Sequence, residues 1–286
     1  MYKRQADKSA QTILLRLNSQ QKDQLKKLGF AIEYAQAYAD ERSAELDQIL
    51  RAAENNALLN DARALRDDVS PSYFVSSGIP GFPCYPSVEE TYTIAQSLVD
   101  RFPDLAELVD IGDSWQKTQG LGGYDLFVLK ISNSNVTAVS QAAKPILFVH
   151  SAAHARELAT AGLTLAFAEK LLTEYGQDAD VTWVVDHREV HILFHMNPDG
   201  RKLAEAGFDK RKNTNTNFCP ENGVTFGVDL NRNFGGLWNA AGLPVDAFSA
   251  SGIPCSQTFR GTEGSSEPET QGVDCLLYTS DAADES

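Results

Sequence analysis

Apolar residues follow two patterns along this chain. Between Leu105 and Met196 they gather into short runs, Leu105–Ile111, Leu126–Ile131, Pro145–His150 and Val190–Met196. Runs of that length predict strands. Pro145–His150 is apolar nearly throughout, which predicts a central strand buried on both faces, with His150 as a buried core histidine. Elsewhere the apolar positions space out by four, as at Leu163, Phe167 and Leu171, predicting a helix from Arg156 to about Tyr175. Ser87-Val88-Glu89-Glu90 is a capping-box pattern that opens a helix running to about Phe102. The run Val190–Met196 ends in Asn197-Pro198-Asp199-Gly200, which predicts a turn. Strands interleaved with helices predict an α/β sandwich around a mixed, largely parallel sheet.

The first 67 residues are patterned differently. Thr12–Leu17 predicts a strand, Asn18 or Ser19 caps a helix closed by Gly29, and Phe30–Glu33 predicts a second strand. Asp40–Asp67 is charged and alanine-rich, with Leu46, Ile49, Leu50, Leu58 and Leu65 at helical intervals. This predicts a small α+β region over 1–67. Residues 68–86, rich in proline, glycine and serine, read as a linker.

Composition narrows the function classes. A content of 42% hydrophobic and 22% charged residues in 286 fits an ordinary globular protein. The net charge of -14 argues against nucleic-acid or anionic-membrane partners, which require basic patches. No apolar run is long enough to span a bilayer. The residues after Met1 lack a signal-peptide core, so the chain is either cytoplasmic or Met1 is not its natural start. Cys84, Cys219, Cys255 and Cys275 form no Cys-x-x-Cys pair. Cys219 and Cys255 flank Asp229–Asn233 and either close a loop around it or stay reduced.

Candidate chemistry concentrates in two strings. His154-Ala155-Arg156-Glu157 follows the Pro145–His150 run, where α/β sheets gather ligands at strand carboxyl ends. On a helical turn His154 and Glu157 would share one face and offer an imidazole and a carboxylate to a divalent ion, by default zinc. In Asp229-Leu230-Asn231-Arg232-Asn233, Asp229 suits the far N–H of a ligating histidine. Arg156, Arg211 and Arg232 are ordinary surface charges taken singly. Around one metal they suit a carboxylate or a developing oxyanion. His191 and His195, four residues apart on one strand face, read as packed residues, with a second metal site as the alternative. No Gly-x-Ser-x-Gly elbow and no phosphate loop is present.

Together these strings resemble the zinc metallocarboxypeptidases of the carboxypeptidase A, B and T type. The resemblance covers about residues 86 to 274. It rests on His154-Ala155-Arg156-Glu157-Leu158, Asn197-Pro198-Asp199-Gly200, Arg211-Lys212-Asn213, Val228–Phe234, Phe259-Arg260-Gly261 and Ser266-Glu267-Pro268-Glu269-Thr270. It implies an α/β/α sandwich, Zn2+ held by His154 and Glu157, and Asp229 behind His154. It implies Arg211 as oxyanion stabiliser, with Asn231 and Arg232 on the terminal carboxylate of a peptide or protein and Arg156 as an accessory site. It further implies a Cys219–Cys255 disulfide, a monomeric secreted or periplasmic enzyme, and a prosegment over 1–67.

The departures are as specific. The family takes its third zinc ligand from a later histidine, and its general-base glutamate and a substrate-contacting tyrosine from later still. No histidine follows His195 here. Residues 87–274 are therefore expected to be the N-terminal part of a catalytic domain, and the chain an inactive fragment. Residues 275–286 resemble the translation of a transposase-type sequencing-library adapter and are expected to be a scar. Two other readings stay open: a non-catalytic peptide-carboxylate-binding homologue, and a zinc amidohydrolase acting on cell-wall peptides.

Overall fold

The computed structural model describes residues 6–7, 12–13, 19–33, 78–136, 144–220, 224–236, 238 and 250–284. They belong to two units, Met1–Arg66 and Asp67–Ser286. In the first, β1 (Ala6–Asp7) pairs antiparallel with β2 (Thr12–Ile13). Helix α1 (Ser19–Lys27) ends on Lys26 and Lys27, cations at the negative end of the helix dipole. Gly29 then turns left-handed at φ 86° and the Phe30 N–H returns to the Leu25 carbonyl. Phe30–Glu33 is not the expected strand: it is irregular, with Phe30 exposed, because no described segment pairs with it. Residues 14–17 of the first predicted strand and the Asp40–Asp67 helix lie outside the described residues.

The described part of the second unit starts with turns over 78–86 in which Ile79 is buried. Helix α2 (Val88–Arg101) carries the full capping box: Glu90 N–H donates to Ser87 Oγ at 3.2 Å, and Ser87 N–H to the Glu90 carboxylate at 3.0 Å. Its buried stripe of Thr91, Ile94, Ala95 and Leu98 faces a sheet. There follow β3 (Ala106–Asp113), α3 (Trp115–Thr118), β4 (Asp125–Ile131), β5 (Ile146–His150), α4 (Ala159–Thr173), α5 (Ala179–His187), β6 (Glu189–Leu193) and α6 (Pro198–Glu205). A 3-10 turn (Leu230–Arg232) and α7 (Pro268–Asp284) complete the order.

The sheet runs β3-β4-β6-β5. It is mixed, with two antiparallel pairings and a parallel one between β5 and β6. Side chains alternate across it, as strand pleating requires. Leu129, Ile131, Val190 and Ile192 pack with Leu98 of α2, Leu165 and Leu172 of α4 and Val185 of α5. Leu126, Val128 and Leu193 point the other way, onto Leu230 and onto Val273 and Leu276 of α7. Helices thus cover both faces, the α/β/α arrangement. Each fully buried leucine contributes about 1.5–3 kcal/mol.

β5 departs from expectation. Among the described strands it stands at the edge, bonded to β6 alone. Leu147 is 47% exposed and His150 lies at the surface rather than in the core. An edge strand has one neighbour and incomplete cover, which an apolar run cannot reveal. β6 stops at Leu193 instead of Met196, so face alternation ends before His195. His191 bonds Glu189, whereas the buried His195 ring packs edge to face on Tyr92 of α2, with centroids 5.9 Å apart. The two histidines do not form a joint site.

Candidate metal and carboxylate site

The site grows from the carboxyl ends of β5 and β6. Ser151 N–H bonds the Leu193 carbonyl at 2.9 Å, extending the pairing by one step. Ala152 then adopts φ 51°, a left-handed conformation that costs an alanine about 1–2 kcal/mol. Its N–H donates to Thr160 Oγ1 at 3.1 Å, which helps hold it there. The chain next makes a tight turn, Glu157 N–H bonding the His154 carbonyl at 3.1 Å and Leu158 N–H the Arg156 carbonyl at 3.0 Å. Helix α4 begins only at Ala159, so His154 and Glu157 sit on this turn and not on the predicted helical face. The strained entry at Ala152 uses residues that a smooth strand-to-helix transition would have made helical.

The turn brings the two side chains together all the same. His154 Nδ1 lies 3.0 Å from Glu157 Oε1, and Nε2 lies 3.1 Å from Asp229 Oδ1. The second oxygen of Asp229 accepts from Arg211 Nη2 at 2.8 Å and Nε at 3.1 Å. Asp229 is fully buried. Burial pushes its pKa up, but the hydrogen bond from His154 and the Arg211 guanidinium overcome it and hold the carboxyl below its usual range. Its Oδ1 also accepts the Asn231 N–H at 3.2 Å, capping the 3-10 turn that carries Asn231 and Arg232.

The remaining predicted residues stand apart. Arg156 pairs with Asp209 at 3.0 Å. Arg232 returns Nη1 to the Asn231 carbonyl at 2.8 Å, while its Nε is buried without a hydrogen-bond partner. The Asn231 residue is exposed. Among the described residues no hydrogen bond joins the side chains of Arg156, Asn231 or Arg232 to the His154 set. Cys219 and Cys255 are disulfide-bonded, Cα atoms 5.2 Å apart, and bracket Asp229 in sequence.

Several supports escaped the sequence reading. Asn197-Pro198-Asp199-Gly200 is the start of α6, not a free turn: Asn197 Oδ1 caps the Gly200 N–H at 3.0 Å, and proline fits the first helical turn. A Cβ on Gly200 would come within 2.5 Å of Asn197 Oδ1, so a larger residue there would push the cap aside. Asn197 Nδ2 reaches the Ala153 and Arg211 carbonyls, both at 3.4 Å, linking the two halves of the site. Arg201, Lys210 and Lys212 are all buried. Lys210 Nζ donates to the Phe226 carbonyl at 2.6 Å and Lys212 Nζ to the Pro254 carbonyl at 2.7 Å. Burial brings their pKa values down to about 7 and about 8. Charged residue types predict exposure, and backbone carbonyl partners are invisible in sequence.

A second polar centre lies beyond Asn213. Its amide nitrogen donates to Glu267 Oε2 at 2.8 Å and Glu269 Oε2 at 3.2 Å, and Trp115 N–H donates to Glu269 Oε1 at 2.8 Å. Burial pushes Glu269 up to about 8.

Among the described residues no three His, Cys, Asp or Glu side chains cluster to hold a metal. The donor pair itself fits zinc. Asp229 occupies Nε2 and leaves Nδ1 facing Glu157, 3.0 Å away. Tetrahedral zinc with ligand bonds of about 2.0–2.2 Å separates its donors by about 3.3 Å.

The chain is also similar to known proteins along much of its length. Carboxypeptidase A1 of Sus scrofa is 27% identical over 226 residues, 76% of this chain and 48% of its own length. Carboxypeptidase B2 of Bos taurus is 31% identical over 191 residues, 66% of this chain and 40% of its own. The chain thus spans about half the length of the curated relatives it matches, or less. Among solved structures, the carboxypeptidase A from Helicoverpa armigera superposes with a TM-score of 0.60 at 28% identity, covering 90% of this chain and 54% of that one. Thrombin activatable fibrinolysis inhibitor gives 0.56 at 29% identity, covering 75% and 48%. The family profile for zinc carboxypeptidases matches residues 91–283, most of the chain. With that match, and with these relatives, the chain belongs to the zinc carboxypeptidase family.

Proposed function

We propose that these residues form the zinc-binding and carboxylate-binding half of a metallocarboxypeptidase, an enzyme that hydrolyses the C-terminal peptide bond of peptides or proteins. The observation that carries this reading is the shared Asp229 carboxylate. One oxygen fixes His154 so that Nδ1 faces Glu157, and the other holds Arg211 in the same site. His154 and Glu157 are the two zinc ligands supplied here. Bound zinc would polarise the scissile carbonyl and acidify a water molecule. Arg211, oriented by Asp229, would donate to the oxyanion of a tetrahedral intermediate. Arg232 would meet a terminal carboxylate through its guanidinium, with the exposed Asn231 beside it. Arg156 serves as an accessory contact for incoming peptide.

Catalytic zinc sites take three protein ligands and leave one position open. Among the described residues we assign two, so we infer weak zinc binding and no useful turnover from the chain as it stands. The Cys219–Cys255 disulfide supports export to an oxidising compartment. No helix of the described residues is long and apolar enough to cross a membrane.

Titration with Zn2+ and with matched peptides tests the reading. One zinc should bind, and His154→Ala should abolish it. Free-acid peptides should bind better than their amides, and Arg232→Ala should erase that preference, a loss of about 2–5 kcal/mol. Zinc binding indifferent to His154→Ala would remove the metal assignment. Equal binding of free and amidated peptides would redirect the site to amidase or endopeptidase chemistry. Zinc-dependent release of C-terminal residues by the 286-residue chain would overturn the inactive-fragment reading.

A further inference from the structure

Arg201 is among the bulkiest fully buried side chains, and stability of its own helix does not account for its placement. Its guanidinium reaches out of α6 to two other segments. Nη2 donates to the Leu158 carbonyl at 2.9 Å and the Pro86 carbonyl at 3.3 Å, and Nη1 to the Glu157 carbonyl at 3.3 Å. Glu205 is its carboxylate neighbour, with Oε1 3.6 Å from Nε. That same Oε1 accepts the Val88 N–H at 2.9 Å. The cation therefore sits between the N-terminal ends of α2 and α4, where the helix dipole has the wrong sign for it. A buried arginine in such a position is costly. What it gains is a grip on the carbonyls of Glu157 and Leu158, the last two residues of the His154–Leu158 turn. Leu158, the cap residue of α4, makes no side-chain capping bond of its own.

We propose that Arg201 is a positioning residue for Glu157: by holding the Glu157 and Leu158 carbonyls it fixes the turn that aims the Glu157 carboxylate at His154 Nδ1, and so sets metal affinity. This rests on the zinc reading of His154 and Glu157. Arg201 touches neither substrate nor metal. The planar fork suits the site because its two terminal nitrogens reach three carbonyls from separate points, where an ammonium offers a single one. Glu205 and Pro86 carry the same hold to the start of α2, so the turn is anchored to the sheet-covering helix rather than to a loop.

Two readouts on the full chain test this, with Arg201→Lys as the conservative variant and Arg201→Met as the severe one. The first is amide hydrogen exchange, which does not involve zinc. In Arg201→Lys the Glu157 and Leu158 amides should exchange at least about ten-fold faster, while β6 amides stay protected. The second is Zn2+ affinity measured by chelator competition in two backgrounds. Arg201→Lys should weaken zinc by about ten-fold or more in the otherwise native chain. In a Glu157→Ala background the same substitution should change affinity by less than about two-fold, because its target is gone. Equal losses in both backgrounds would show that Arg201 acts through general stability and overturn the proposal. Unchanged exchange at Glu157 and Leu158 would overturn it as well. Zinc binding insensitive to His154→Ala marks failure of the metal reading itself, and removes the affinity half of the proposal whatever the exchange shows. If Arg201→Met fails to fold, Arg201→Lys carries both measurements.

Discussion

Asp229 and Glu269 are both fully buried carboxyl groups, yet the protein treats them in opposite ways. Asp229 is kept ionised because His154 and the Arg211 guanidinium bond its two oxygens. Glu269 meets a backbone N–H and an amide shared with Glu267, and desolvation pushes it up to about 8. Burial is the same in the two cases, and the partners decide the charge. The ionised group lies in the candidate metal site, where a fixed negative charge steadies a ligand. The neutral group is a structural tie between α7 and the Asn213 segment.

The largest effect should come from breaking the first centre. Asp229→Ala leaves Arg211 and His154 without their acceptor and should cost about 3–5 kcal/mol in urea unfolding. A loss below about 1 kcal/mol would erase the contrast. Glu269→Gln should cost far less at neutral pH, since it replaces a group that is already uncharged. Its signature is in pH dependence. A carboxyl raised from 4.5 to about 8 gives stability that is complete below the lower value and is lost as pH rises through the folded pKa. The wild type should therefore decline across that window, by at most about 1.4 kcal/mol per pH unit for one proton, and the glutamine variant should decline less.

Lys212 tests the same rule with the opposite sign. Its amine is buried against the Pro254 carbonyl, and desolvation lowers it from 10.5 to about 8. The stability it lends is complete above the higher value and is lost as pH falls toward the lower. Lys212→Met should flatten that alkaline slope while changing stability near pH 8 by about 1 kcal/mol or less, the net value of one hydrogen bond. Thermal unfolding from pH 7 to 10.5 reads it, and an unaltered slope would remove Lys212 as its source. A comparably small effect is expected at the N-terminal cap of α2. Ser87→Ala removes a cap and should cost about 1 kcal/mol. A larger loss there than at Asp229 would invert the comparison.

What the sequence disclosed follows the range of the forces involved. The Ser87 capping box and the Gly29 helix stop were legible because their partners lie within a few residues. The strands β3 and β4 were legible from their apolar runs, and the mixed α/β class followed from the order of elements. The position of β5 at the edge of the described sheet was not, since neighbours in a sheet are set by long-range pairing. His154, Glu157, Asp229 and Arg211 were legible as residue types in recurring strings. Their turn geometry was hidden behind Ala152, whose left-handed conformation nothing in its identity announces. The buried Arg201, Lys210 and Lys212 were unreadable because their partners are main-chain carbonyls.

The contact between His154 and Asp229 joins residues 75 positions apart, whereas Arg211 and Asp229 are separated by 18. Closing the longer loop costs more chain entropy, which favours closing the shorter one first. The arginine–aspartate half is expected to form first and the histidine to arrive once β5 has docked beside β6. Removing the His154 contact should then speed unfolding and leave the folding rate nearly unchanged. Stopped-flow kinetics of His154→Ala would measure this, and a matching drop in folding rate would place the contact in the early nucleus instead.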